Sequence, residues 1–295
     1  MRVTLLGGLD GHDERVALRA DWHASLSLTF ARSRGRTQLA RARHEGPLRV
    51  QRAFYPEGEQ GACHVYVLHP PAGVVSGDRL TLDVELTPET SALLTTPGAT
   101  KLYRARLAQD ATSLQRFDVA SGAVLEWLPQ ETIVYDGARA HVATHVALAA
   151  GASYAGWEIL CLGRPTAGER FTDGRLRSEL LLARAGRLCL FERGLYAGGD
   201  PVLSAAWGLA GQPVLATFVV VSDLAEASWV TAVRCEVAPL AREGLLAATL
   251  VRGVVVVRYR GASTREARSL FEAALAVLRP RYAGRAAVRP RIWST

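Results

Sequence analysis

The segment Val119-Ala-Ser-Gly-Ala-Val-Leu-Glu-Trp-Leu128 is repeated in outline by Leu148-Ala-Ala-Gly-Ala-Ser-Tyr-Ala-Gly-Trp157. In each copy a glycine turn joins two apolar stretches, and the two turn glycines are 29 residues apart. A looser copy starts at Leu86 with Thr-Pro-Glu-Thr-Ser. Strand, turn and strand recurring about every 30 residues are typical of stacked β-coils. The repeat predicts a mainly β fold with a stacked-strand, β-helix-like body, although antiparallel meanders in a sandwich give the same pattern.

Apolar and polar residues alternate along much of the first 220 residues, which predicts half-buried strands. The alternation is clearest in 24–30, 80–86 and 142–148. Further strands are predicted from apolar or β-branched runs bounded by turn residues. These runs are 48–52, 64–69, 114–119, 124–128, 176–182, 188–192, 214–221 and 254–259.

Helical periodicity is confined to the C-terminal part, where two helices are predicted. One covers about 224–235, and the other covers 263–278 with Ser263 as N-cap and Glu266 completing a capping box. Pro280 is expected to end the second helix, and its apolar stripe is a candidate partner surface. The predicted organisation is an extension over 1–20, which could be disordered, and a single domain over 21–295. This domain has a β body over about 21–222 and an α-containing part over about 223–295.

Composition narrows the functional classes. The chain has 295 residues, 49% hydrophobic and 21% charged, which excludes a disordered protein. The net charge is +7, and 34 of the 35 basic residues are arginines spread along the chain rather than clustered with aromatics. This spread is typical of a compositional preference for arginine on solvated faces, and as a functional signal it favours an acidic protein partner or a polyanion. The four cysteines lack metal-site spacing, and no apolar run is long enough to span a bilayer, so we expect a cytoplasmic protein without membrane contact.

Several enzyme signatures are missing. The one lysine, Lys101, lies in Thr96-Pro-Gly-Ala-Thr-Lys101, which has a single glycine and cannot form the usual phosphate-binding loop. GxGxxG, HExxH and GxSxG are also absent from the sequence. The sequence therefore predicts a protein that is not an enzyme and that hydrolyses no nucleotide by itself.

The histidines and Cys63 suggest at most a weak metal site. His141 and His145 lie four residues apart and share one face of a strand, but no third ligand is evident. His64 neighbours Cys63 and is five residues from His69, so both pairs face opposite sides of a strand. Transient passage of a borderline metal such as Ni²⁺ suits these residue types better than a fixed zinc site.

Three carboxylates stand beside backbone-shaping residues. Asp78 follows two prolines and the glycines Gly73 and Gly77, and it opens a predicted strand. Glu158 and Glu169 flank a bend that contains Arg164. Without further information, Asp78 is interpreted as a turn residue and the glutamates as structural partners of the arginine.

Six stretches that occur in order along the chain resemble the family of urease accessory proteins called UreD or UreH. They cover about residues 25–295, and the family match also marks Pro97, Gly98, Lys101 and Trp157 as motif residues. The six stretches are 46–57, 63–78, 93–104, 125–132, 156–165 and 289–295. Small departures from the pattern occur at Ala53, Ser76 and Leu102.

The resemblance implies a non-enzymatic maturation factor that acts in a complex with UreF and the GTPase UreG, docks on apo-urease and helps to insert nickel. It implies no permanently bound cofactor, only transient Ni²⁺ carried through a water-filled passage. On this basis Asp78, Glu158 and Glu169 are candidates to line the nickel route. His64 and Cys63 are secondary candidates.

Two alternatives stay open from the sequence. One is an arginine-rich nucleic-acid-binding protein, whose affinity would fall steeply with salt. The other is a metal-dependent hydrolase that uses His64, His69 and Asp78, which would turn over model esters once a metal is supplied.

Overall fold

The computed structural model describes residues 22–71 and 73–294, so the predicted extension over 1–20 lies outside the described residues. Within them the chain forms two facing sheets with helices on the outside of one. The strands follow in chain order with their bounds. They are β1 (His23–Ser33), β2 (Arg36–Glu45), β3 (Arg49–Val50), β4 (Cys63–Leu68), β5 (Arg79–Leu86), β6 (Ser91–Thr95), β7 (Thr100–Leu102), β8 (Ala111–Val119), β9 (Val124–Trp127), β10 (Thr132–Val134), β11 (Arg139–Leu148), β12 (Ser153–Leu162), β13 (Arg175–Arg184), β14 (Arg187–Ala197), β15 (Val214–Val221), β16 (Leu245–Val251) and β17 (Val254–Gly261).

The first sheet has the order β14-β13-β11-β8-β5-β1-β2, and its five central strands, from β13 to β1, are parallel to one another. The second sheet has the order β16-β17-β15-β12-β9-β6-β4-β3, with β7 and β10 stacked beside the end of β12. The chain passes from one sheet to the other through β5–β6, β8–β9 and β11–β12, so each pair forms part of one coil. This arrangement confirms the mainly β, stacked-strand body.

The repeated turns stack on one another as the 29-residue spacing predicts. Ser91 pairs with Val124, which in turn pairs with Ser153, so the three copies lie in register. Gly122 has a φ of +68°, and a β-carbon there would collide with the Glu89 carboxylate of the previous coil. The left-handed backbone favours glycine at this position, whereas the flexible Glu89 side chain could move aside for a larger residue.

The two tryptophans of the repeat face opposite sides of the second sheet. Gly156 is the residue in register with Trp127, so Trp157 is offset by one position. Because side chains alternate with a period of two, this offset turns Trp127 toward the space between the sheets and Trp157 toward the helices.

Two helices cover the outer face of the second sheet, in agreement with the sequence. They are α2 (Ala227–Glu236) and α3 (Thr264–Ala283), and a single turn, α1 (Pro201–Ser204), precedes them. The apolar stripe of α3 is buried against β12, β15 and β17, so its interpretation as a partner surface was wrong. The buried residues of this stripe are Ala267, Leu270, Phe271, Ala274, Leu275 and Leu278.

The end of α3 differs from the prediction. The helix continues through Pro280 to Ala283, and Gly284 caps it in the left-handed conformation. Proline within a helix costs a hydrogen bond. We attribute the extension to Arg279 and Tyr282, which flank Pro280 and bind buried Glu126.

The start of α3 fulfils half of the predicted capping box. The Ser263 side chain accepts the hydrogen bond of the Glu266 amide, as expected. The Glu266 carboxylate instead accepts the amides of Arg242 and Glu243 and the hydroxyl of Tyr259. The Glu266 carboxylate therefore ties the helix to the loop that precedes β16 rather than to its own N-cap.

No described helix is long and apolar enough to cross a membrane.

Candidate functional site: the polar space between the sheets

Polar side chains replace apolar ones along part of the inner face of the first sheet. Gln115 and Thr144 are in register on neighbouring parallel strands, next to the apolar Leu82 of the following strand. Ser113 and Ser178 lie at the neighbouring level of the stack. The alternation that buries leucine and valine elsewhere therefore directs hydroxyl and amide groups into the interior here.

These polar residues border two cavities between the sheets. The larger, of about 720 Å³, is lined by Thr144, Ser178 and Glu158, and the smaller, of about 200 Å³, by Ser113 and Gln115. The Thr144 hydroxyl donates to the Gln115 carbonyl oxygen at 3.1 Å, and the Gln115 amide donates to Ser113 at 2.8 Å. A chain of hydrogen bonds thus connects the walls of the two cavities, and Trp127 lines both.

Glu158 is one of the ionisable groups that line the larger cavity, and its pKa is shifted toward neutrality. It extends from β12, and the Ser178 hydroxyl of the opposite sheet donates to its Oε2 at 2.7 Å. Burial among protein atoms raises the pKa of Glu158 from 4.5 to about 7, while the Ser178 hydrogen bond acts in the opposite direction. This carboxyl group can therefore take up or release a proton, or a cation, near neutral pH.

His69 lies at the smaller cavity, and Asp78 is close enough to act on it through its charge. His69 contributes to the cavity wall, and burial lowers the pKa of the imidazole while the charge of Asp78 acts to raise it. The Asp78 carboxylate is buried and accepts the Val75 amide at 3.0 Å, so it holds the turn that follows Gly73. Gly73 itself packs against the ring of Tyr103, where a β-carbon would not fit.

A second polar cluster lies on the helix side of the second sheet. Arg279 of α3 donates to both oxygens of Glu126 at 2.8 Å and to Glu57 at 2.7 Å, and Tyr282 donates to Glu126 at 2.5 Å. His64 contacts Glu57 at 2.7 Å. Burial alone raises the pKa of Glu57, but the hydrogen bonds from His64 and Arg279 and the charge of Arg279 outweigh it and lower the pKa to about 2. This cluster fixes α3 on the β body.

The other candidates are held in ordinary structural contacts. Cys63 lies 3.6 Å from the Tyr55 hydroxyl, and burial raises the pKa of its thiol. Glu169 pairs with Arg164 at 2.6 Å, as expected, and accepts the Asp136 amide. The expected pairing of Glu158 with the same arginine was wrong, because Glu158 binds Ser178. The Arg164 guanidinium also lies over the ring of Tyr135.

The five candidate ligands therefore occupy separate surroundings. Glu158 borders the larger cavity, Asp78 lies beside the smaller one, and His64, Cys63 and Glu169 are bound elsewhere. The described residues contain no group of three or more His, Cys, Asp or Glu side chains placed to hold a metal ion. The His64, His69 and Asp78 set required for a hydrolase is split, because His64 contacts Glu57 on the helix side while His69 lines a cavity between the sheets.

The remaining motif residues are structural in their contacts. Pro97 and Gly98 line the smaller cavity, and the carbonyl of Lys101 accepts the Val74 amide. Gly77 has a φ of +90°, which completes the turn before β5. The Trp157 indole donates to the Pro129 carbonyl within the core beneath α3.

The polar residues on the inner face of the first sheet and the buried cluster around Arg279 were not predicted from the sequence. Ser113, Gln115, Thr144 and Ser178 carry a usable signal, because they occupy core-facing positions in alternating strands. Glu57, Glu126 and Arg279 are too far apart in sequence for any local pattern to connect them.

A stacked β body with a polar interior and dispersed candidate ligands fits a binding or assembly protein better than a hydrolase. The family model described as "UreD urease accessory protein" matches residues 23–294. The chain belongs to the UreD family of urease accessory proteins. Its relatives are named as accessory proteins and not as enzymes, in agreement with the prediction from the sequence.

Three relatives illustrate the similarity. The urease accessory protein UreD of Azoarcus sp. (strain BH72) is 49% identical over 279 residues, which are 95% of this chain and 96% of the relative. The UreD protein of Dechloromonas aromatica is 47% identical over 93% of this chain and 95% of the relative. That of Methylobacillus flagellatus is 42% identical over 97% of this chain and the whole of the relative.

Proposed function

We propose that this chain is a cytoplasmic maturation scaffold that acts with UreF and UreG in the GTP-dependent insertion of nickel into apo-urease. Membership of the UreD family supports a role in urease maturation. The lack of a phosphate-binding loop in the sequence assigns nucleotide hydrolysis to a partner. Nickel is the cargo in this proposal, and the chain needs no resident cofactor.

The polar space between the sheets is the proposed nickel route. A cation cannot cross an apolar interior without oxygen or nitrogen ligands, because it would lose its hydration without compensation. Hydroxyl, amide and carboxylate groups line the two cavities, and they bind Ni²⁺ weakly enough to release it, unlike a closed thiolate site. The observation that carries this proposal is the position of Glu158, an ionisable carboxyl group in the larger cavity.

The contacts divide the five sequence candidates. Glu158 is assigned to the route, and Asp78 acts beside it by holding the turn at the smaller cavity and by its charge on His69. Glu169, His64 and Cys63 are assigned structural roles, because the Glu169 carboxylate, Nε2 of His64 and the Cys63 thiol contact Arg164, Glu57 and Tyr55. Nδ1 of His64 is buried and has no hydrogen-bond partner among the described residues.

The test compares Glu158→Gln with Glu169→Gln as a matched control. Each variant is co-expressed with urease, UreF and UreG, and both urease activity and its nickel content are measured beside a pull-down of the complex. E158Q should lower nickel content and activity several-fold with the complex intact, whereas E169Q should behave like wild type. Wild-type nickel loading by E158Q would place the route elsewhere, and loss of the complex would make Glu158 a structural residue.

A further inference from the structure

One side of the molecule, where both sheets end, carries most of the exposed large apolar side chains. We call it the open side and define it as β14, β16 and the loop 198–213. Strands β14 and β16 both border the larger cavity, so the two sheet edges face one another there. Among the described residues ten large apolar side chains are exposed, and six lie on the open side. These six are Leu188, Phe191, Leu195, Trp207, Leu245 and Val251.

The two edges of the first sheet differ in their protection. At one edge, the exposed part of β2 carries Arg41, Arg43 and Glu45 and presents no large apolar side chain. Charged edge strands resist pairing with other chains. At the opposite edge, β14 is eleven residues long and exposes Phe191 and Leu195. The β14 edge also carries arginines, but it combines them with exposed apolar side chains and is therefore the better suited of the two edges to accept another strand.

The outer face of β14 has a recognisable pattern. Leu190, Glu192 and Tyr196 pair with the inward-facing residues of β13. The intervening Phe191, Arg193 and Leu195 therefore share the outer face, and all three are exposed. An added strand would meet apolar, basic and apolar side chains in sequence.

Trp207 supplies a rigid anchor next to this edge. Its side chain is 77% exposed, although the loop that carries it is fixed. The Arg260 guanidinium of β17 donates to the carbonyl oxygens of Ala206 and Gly208 on either side of the tryptophan. A large aromatic side chain that is held in place while fully available is typical of an interface hot spot.

The charge around the open side specifies the partner. The open side itself carries two arginines, Glu192 and Asp200 and is neutral as a set, while the neighbouring strands β13 and β17 add five arginines and one glutamate. Both glutamates are neutralised within the chain, Glu179 by His145 and Arg193, and Glu192 by Arg258. Arg177 and Arg187 have no carboxylate partner among the described residues. Arg175 and Arg184 are paired with Asp110 and Asp223, so the excess positive charge around the apolar edge comes from Arg177, Arg187 and Arg260.

We propose that the open side binds an acidic protein partner, which adds an extended segment with alternating apolar and acidic side chains to β14 and receives Trp207 in an apolar pocket. Backbone hydrogen bonds along the edge would supply affinity, and the arginines would select for acidic residues. A second copy of the same chain would bring two positive surfaces together, which disfavours self-association. The inference rests on the proposed function in one respect, which is that the proteins tested as partners are those of urease maturation.

The test uses the double variant F191E/L195E in the full chain. Both substitutions lie at exposed positions of a paired strand, so folding is expected to persist and is checked by thermal unfolding. The control is A40E/A42E, which adds the same charge to exposed positions of β2 at the other edge of the same sheet. The affinity of each variant for purified UreF, UreG and apo-urease is measured separately by surface plasmon resonance, at about 0.05 M and about 0.5 M salt.

We expect F191E/L195E to weaken binding of at least one of these proteins by about tenfold or more. The control should stay within about twofold of wild type, and the wild-type affinity should fall with salt. Unchanged affinity for all three proteins, or equal losses in both variants, would overturn the proposal. So would a wild-type dimer in sedimentation that F191E/L195E abolishes. Because only binding is measured, the outcome is independent of whether nickel reaches urease, so failure of the proposed function would be seen separately in the E158Q experiment.

Discussion

At the scale of single residues, Arg279 has the largest expected effect on stability. Its guanidinium is 1% exposed and faces the buried carboxylates of Glu126 and Glu57. We expect Arg279→Met to lower the free energy of unfolding by about 3–5 kcal/mol, because both carboxylates would stay buried without their cation. Urea denaturation measures this. The exposed pair Arg116–Asp83 provides the control, since Arg116→Met should cost less than about 1 kcal/mol. Equal losses in the two variants would contradict a role for burial.

The free energy of unfolding should depend on pH through the ionisation of Glu158. Its carboxyl ionises near 4.5 when unfolded and near 7 when folded. The stability gained by keeping the proton is therefore complete below pH 4.5 and is lost as the pH rises through 7. Glu158→Gln should thus raise the free energy of unfolding at pH 8 by up to about 3 kcal/mol and change it little at pH 4. A difference between variant and wild type that is the same at both pH values would refute this. Higher stability with lower nickel delivery would identify a residue kept for function.

At the scale of elements, most strands with a regular apolar face were predicted, whereas the charged edge strand β2 and the apolar edge strand β16 were not. β5, β11 and β15 follow the alternation or the apolar run that predicted them. β2 was missed because only its first residues face the core, so its exposed arginines conceal the period of two. β3 was predicted as five residues and has two, since only Arg49 and Val50 pair with β4.

The candidate site was also predictable only in part, because contacts between residues far apart in the sequence determine its surroundings. The acidic residue Glu158 was identified, but its surroundings depend on Ser178 and Thr144 from other coils of the stack. Register between strands is fixed by the whole fold, so a single sequence cannot show which polar residues meet. The buried cluster of Arg279 joins segments separated by 153 and 222 residues, which no periodicity can indicate.

The start of α3 allows a comparison of two kinds of helix anchor. Ser263→Ala should lower the free energy of unfolding by about 1 kcal/mol through the lost N-cap. Glu266→Ala should cost more, because it leaves the amides of Arg242 and Glu243 and the Tyr259 hydroxyl without their acceptor. Thermal unfolding of the two variants compares these costs. If S263A is the more damaging change, the tie between helix and loop contributes little.

At the scale of the whole molecule, the purified chain alone should aggregate, and co-expression with UreF and UreG should rescue it. The physical reason is the open side, not the buried stripe of α3. F191E/L195E should therefore increase the soluble fraction of the isolated chain, whereas A40E/A42E should not. Centrifugation of cell extracts and light scattering measure this. A wild-type chain that stays monomeric at high concentration would count against it.

The isolated chain should also fail to hydrolyse GTP, because its sequence has no phosphate-binding loop. Phosphate release by the purified protein is the measurement. Lys101→Ala serves as the control for a contaminating GTPase, since contamination would give the same rate in both preparations. Saturable hydrolysis that K101A abolishes would refute the prediction.

Arg279 and Trp293 contact the first half of the chain, so these contacts can form only after most of the chain has been synthesised. The coils can form as the chain emerges, since each mainly contacts its neighbour. Glu57, Glu126 and Thr95 must wait for partners near the end of the chain, because the Trp293 indole donates to Thr95. A translation product that stops before α3 leaves two carboxylates without their cation and much of the outer face of the second sheet uncovered. Such a product exposes the apolar surface that chaperones and proteases bind, so the formation of α3 protects the protein from both.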